Sequence, residues 1–159
     1  MTGSSFLPLT AVYRPEKRNT KKVPFVELFN GRVQGVVSSG SDINRVYVAF
    51  FEAGTGDFYC STNNNRPCGG LSGSRPCSHI QEMVDEAIAQ YGGVAVGKFL
   101  KIPTAADERS NAWVMFQELK GSQKHEPANE VFSRFLSYLR YIELPPSRLP
   151  IPEMTWFAA

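Results

Sequence analysis

Long apolar stretches are missing from this chain. Runs such as residues 46–51 (VYVAFF) fall far below the ~20 residues a membrane-spanning helix needs, so no membrane partner is expected. A strong charge of either sign is missing too: 17 Lys and Arg face 15 Asp and Glu, a net +2, short of what a dedicated polyanion binder carries. The signatures of common catalytic centres are absent. There is no H-E-x-x-H, no H-x-E with P-C-x-x-C, no Walker loop and no G-x-S-x-G. The Gly-containing YGGVAVGK has the wrong spacing for a phosphate loop and follows a helical pattern. A protein that is not an enzyme is expected. The opening residues MTGSS show neither the basic start nor the long apolar region of a secretory leader, and a cytoplasmic location is expected. Cysteine is scarce and odd in number: three, which cannot pair completely within one chain. Reduced thiols follow for a reducing compartment.

What the chain does contain fits one soluble domain. At 159 residues it can bury roughly 68–70% of its unfolded surface, so a core forms without staples. Residues 1–22 are polar and basic and are expected to form an N-terminal arm. Residues 23–144 make a single α+β domain, and 145–159 form a Pro-rich tail. VPFVELFN, RVQGVV, RVYVAFFEA and FYC alternate or run apolar between turn signals, which predicts a small antiparallel sheet. Ile80, Met83, Val84, Ala87, Ile88 and Tyr91 recur at helical spacing, with Gln81, Glu82, Asp85 and Glu86 on the predicted wet side and Gly92-Gly93 as the stop. VAVGKFLKIP reads as a strand; NAWVMFQEL reads as another, with a helix as its alternative. Pro127 opens a second, C-terminal helix with Val131, Phe132, Phe135, Leu136, Leu139 and Ile142 as its buried stripe.

The three cysteines and one of the two histidines crowd into residues 60–79, as Cys60-x7-Cys68-x8-Cys77-x-His79. Three soft sulfurs and an imidazole are the donor set a tetrahedral structural zinc prefers. The loop between them is Asn, Gly, Ser and Pro with almost no apolar content, and ordering it costs about 1–2 kcal/mol per residue. Zn2+ binding in small finger peptides is worth roughly 10–16 kcal/mol, enough to hold it. Three other readings stand beside the metal: buried inert cysteines, a Cys–His nucleophilic pair, and a redox dithiol without the usual C-x-x-C. His125, in QKHEPAN, reads as a solvated loop residue.

The run from strand and turn, through Cys60 and the loop, to Cys77-Ser78-His79-Ile80 and the stripe Met83, Val84, Ala87 resembles a SWIM-type zinc finger over residues 46–91. The leading pair departs from that family's usual C-x-C, since Cys60 and Cys68 are separated by seven residues. The resemblance implies a module that binds protein or DNA. Two partner classes are therefore carried. One is a protein partner or larger assembly, docked through Met154, Trp156 and Phe157 of the tail. The other is DNA or RNA, contacted by Arg14, Lys17, Arg18, Lys21 and Lys22 of the arm and by Arg66 and Arg75 of the finger loop.

Overall fold

The computed structural model describes residues 21–42, 44–102 and 110–143. Most of the arm (Arg14, Lys17 and Arg18 included) and the tail with Met154, Trp156 and Phe157 lie outside the described residues.

Four strands, β1 (Phe25–Phe29), β2 (Arg32–Ser38), β3 (Val46–Glu52) and β4 (Phe58–Thr62), pair antiparallel in sequence order, the meander expected. The first turn is set by Asn30 and Gly31, whose φ values of 52° and 72° make a two-residue hairpin of the twist that suits flanking strands. The register then fixes which side chains share a face. Phe25, Val36 and Val48 lie in one row, and Val26, Gly35, Ala49 and Cys60 in the next.

Both faces are covered. Against the Cys60 face pack α1 (Ser78–Tyr91), α2 (Gly93–Phe99) and α3 (Ala112–Glu118), sealing Ile80, Met83, Val84, Val96, Leu100 and Met115 with Phe51 and Phe58. Against the Phe25 face packs α4 (Asn129–Glu143), with a smaller core of Ala128, Val131 and Phe135 on Phe25, Val36 and Val48. Two covered faces explain why β2 and β3 read as nearly continuous apolar runs rather than clean alternations.

Several expectations need correction. Of the segment 94–103, the described residues 94–102 are not a strand: α2 takes their first part, and its buried Gly93, Val96 and Gly97, with Leu100 at its end, recur at helical intervals. NAWVMFQEL takes its alternative, the helix α3, because Asn111 caps it by accepting from the Val114 amide at 3.1 Å. Among the described residues there are thus four helices where two were expected. Leu136 and Ile142 of α4 are exposed, at 46% and 59%, because the helix stripe is covered only around Val131 and Phe135.

The acidic residues of α1 are not a free wet face either. Glu86 is buried, Asp85 accepts from the Ala112 amide at 2.7 Å, and Glu82 pairs with Lys22 at 3.6 Å. Glu82 and Asp85 each have a partner within the domain, and Glu86 is buried.

The open edge of β4 is strapped by residues 122–124. The Phe58 amide donates to the Ser122 carbonyl and the Lys124 amide to the Phe58 carbonyl, at 3.1 and 2.8 Å. Gly121 makes this strap possible: a side chain there would meet the Gly56 carbonyl carbon at 2.0 Å.

Candidate metal centre

β4 delivers Cys60 onto the α1 face, and its chain continues as a hairpin. The Asn65 amide donates to the Thr62 carbonyl, the Thr62 amide to the Arg66 carbonyl, and the Cys68 amide to the Cys60 carbonyl at 3.0 Å. Cys60 and Cys68 therefore sit across from each other on two adjoining strands of backbone. Seven intervening residues are what a turn of this length occupies, so the wide spacing brings the two thiols together as effectively as a tight one.

The chain then turns at residues 72–75, where Ser72 and Arg75 form an isolated bridge, and returns to α1. Cys77 is the N-cap residue of α1, with extended φ and ψ of −78° and 171° and no side-chain cap hydrogen bond; Ser78 is the first helical residue. His79 follows within the first turn. The geometry of a helix start thus points Cys77 and His79 at the same place.

The four donor atoms lie within 4.8 Å of one another. His79 Nδ1 is 3.4 Å from Cys68 Sγ and 3.9 Å from both Cys60 Sγ and Cys77 Sγ. For tetrahedral zinc, bonds of about 2.3 Å to sulfur and about 2.0–2.1 Å to nitrogen require nitrogen–sulfur separations of about 3.6 Å. The observed spacing fits. All three cysteines are buried and free of disulfides, and His79 is half-buried.

Hydrogen bonding among these groups concentrates negative charge. The Cys60 thiol donates to its neighbours, which holds Cys77 down to about 4 and Cys68 down to about 6 against the burial that opposes ionisation. Cys60 is correspondingly pushed up, first by those same bonds and then by burial. His79 is raised, chiefly by its bond to Cys77, which outweighs the burial that lowers it. A backbone donor adds to the cradle: the Gly70 amide points to Cys68 Sγ at 3.4 Å. Three buried sulfurs gathered on one point, two of them held low, with an imidazole beside them, are a donor set suited to a cation. Cys60, Cys68, Cys77 and His79 are together a group that can hold a metal ion.

Sequence reasoning missed Tyr47. Its ring, on the same face of β3, stacks on the His79 imidazole with centroids 3.8 Å apart and planes 17° from parallel. Only the register linking Tyr47 to Thr62 reveals that juxtaposition; nothing in the local sequence signals it.

The remaining candidates separate clearly. Arg66 and Arg75 are exposed on the finger loop, Lys21 is exposed, and Lys22 is engaged by Glu82. His125 is an exposed loop residue, as expected, with its ring edge-on to Tyr59 at 5.1 Å. Among the described residues no helix is long and apolar enough to cross a membrane. No protein-family model, curated protein or solved structure matches this chain.

Proposed function

We propose that this chain is a zinc-binding interaction protein without catalytic activity: a SWIM-like finger embedded in an α+β domain, acting as an adaptor or subunit of a larger assembly. The observation that carries the reading is the convergence of Cys60, Cys68, Cys77 and His79 at tetrahedral spacing. Zinc, when bound, supplies the positive charge and the directed bonds that such a donor set completes. Four protein donors leave no coordination position for a reacting water, which supports a structural role over hydrolysis.

The finger-like order is also present. Strand β3, a turn, β4 with Cys60, a loop, then Cys77-x-His79 opening an apolar-striped helix supports the SWIM assignment, with a hairpin in place of the family's closely spaced leading cysteines. An adaptor role is supported by exposed apolar groups away from the site: Trp113, Tyr141 and Ile142 are each more than half exposed.

A second reading, binding of DNA or RNA, is favoured by the exposed Arg66 and Arg75 on the ordered loop. One set of measurements separates them. Elemental analysis of the purified full chain is expected to give one zinc per molecule. Labelled duplex and single strand are then titrated at about 50 and about 200 mM salt. Tight binding that collapses with salt, and weakens when Arg14, Lys17, Arg18, Lys21 and Lys22 are neutralised, supports the nucleic-acid reading. A stable protein complex lost on deleting residues 145–159, without nucleic-acid binding, supports the adaptor.

A further inference from the structure

The hairpin that carries Cys60 and Cys68 has a second contact, at its other end. Asn65, at the tip, sits in the left-handed region with φ of 61°. Its side-chain oxygen accepts from the Ala128 amide at 2.8 Å, and its side-chain nitrogen reaches the Asn129 side-chain oxygen at 3.4 Å. Ala128 is the residue before α4, and its carbonyl takes the first helical bond, from the Phe132 amide at 3.0 Å. An alanine at that position has no side chain with which to cap a helix. Asn65 satisfies from 63 residues away the amide of the cap residue itself, the bond that a Glu or Gln three residues on makes in a capping box and that Val131 cannot make.

A further bond runs parallel to this one. The Gln123 amide donates to the Gly73 carbonyl at 3.1 Å, tying the second half of the same loop to the strap that leads into α4. Both ends of the metal-site loop therefore grip the approach to α4, although α4 lies on the opposite face of the sheet from the cysteines.

α4 is also an element that would respond. Its core is small: Ala128, Val131 and Phe135 on three sheet residues, with Phe132 and Leu139 only partly buried. Its other anchor is Arg134, which bonds the Glu27 carboxylate (one contact at 2.8 Å) and lies over the Phe29 ring at 3.5 Å. Arg134 lies beyond the first turn, which is seated by the buried Ala128 and Val131 together with Asn65 and the strap. Elements with few buried contacts are those that open first.

We propose that occupancy of the Cys3His centre governs the seating of α4, with Asn65 as the coupling residue. The inference rests on the metal-binding reading of the centre and adds its regulation. With the ion bound, the hairpin base is fixed, its tip holds the Ala128 amide, and α4 lies on Phe25, Val36 and Val48. Without it, the hairpin loosens from its base and the first turn of α4 loses its cap. The exposed Tyr141 and Ile142 of α4 would then be presented differently in the two states.

Hydrogen exchange of the full chain, zinc-loaded and after removal of the ion by a chelator, tests this. Removal is expected to speed exchange over residues 61–76 and over the first turns of α4, while β1 to β3 stay protected. Asn65→Gly is the informative variant, because glycine accepts the positive φ without strain while deleting the amide. Zinc-loaded N65G is expected to keep one ion per chain yet exchange about five-fold faster at the start of α4, the scale of a lost helix cap. Chelation should then add little there.

The inference is overturned if wild type binds zinc but α4 exchanges identically in both states, or if N65G leaves α4 protection and its response to chelation unchanged. Failure to bind zinc at all, read separately from the metal content, overturns the metal-binding reading and the coupling with it.

Discussion

Replacing Tyr47 tests whether the site is a positioned ligand set or merely a cluster of buried thiols. The Tyr47 ring, stacked 3.8 Å away, constrains the plane of the His79 imidazole, whose Nδ1 lies toward the sulfurs. Metal-bound histidines are ordinarily oriented by a hydrogen bond to their other nitrogen; here an aromatic face limits the tilt of the ring. A stacked pair is worth about 0.5–1.5 kcal/mol beyond its buried area, or roughly 2- to 13-fold in affinity. Freeing the imidazole's rotation adds to this and brings the total toward the low end of the ~10–100-fold range for lost orienting partners. Tyr47→Ala is thus expected to weaken zinc about 10-fold or somewhat more in competition against a chromophoric chelator. Tyr47→Phe, which keeps the ring, should stay within about two-fold. Equal affinity of Y47A and wild type would refute the orienting role. A loss in Y47F as large as in Y47A would show that the hydroxyl, not the stack, is what matters.

Cys77→Ser removes the donor fixed at the helix cap; it is expected to release the metal and deprotect residues 60–80, with β1 to β3 intact by hydrogen exchange. Gly121→Ala forces a methyl into the Gly56 backbone and should cost about 1–3 kcal/mol, seen as a lower urea midpoint at unchanged slope. The Glu27–Arg134 pair should give an acid-sensitive contribution to stability. Burial pushes the Glu27 carboxyl up, but hydrogen bonds from Arg134 and Gln34 outweigh it and hold the pKa below 4.5. A carboxyl with a depressed folded-state value stabilises fully above its unfolded value, and the benefit is lost as pH falls through the folded one. Wild type should therefore lose stability relative to Glu27→Gln as pH drops below about 4.5, with a constant difference between the two above it. A difference that does not change with pH would contradict the assignment.

The meander was legible because each strand is bounded by its own turn chemistry, as at Asn30-Gly31. The donor set was legible because Cys and His are rare enough that their clustering stands out. The helices of the middle segment were not. Residues 94–100 span only about two helical turns with a glycine among the buried positions, and Val94 and Val96 mimic a strand, while the burial that decides the matter comes from packing against α1. The polar face assigned to α1 failed for a related reason. Asp85 is drawn in by the amide of Ala112, 27 residues away, and Glu82 by Lys22, partners that periodicity cannot anticipate. The same holds for Tyr47 and Asn65. One acts across a sheet register and the other across a hairpin to a distant helix, so their roles exist only once the chain has folded.

Zinc K-edge absorption on the full chain, purified without chelator, addresses the donor set itself. One zinc per chain is expected, with three sulfurs at about 2.3 Å and one nitrogen at about 2.0–2.1 Å. A shell dominated by oxygen and nitrogen, or protein that takes up no zinc, would contradict the assignment of Cys60, Cys68, Cys77 and His79 as its ligands.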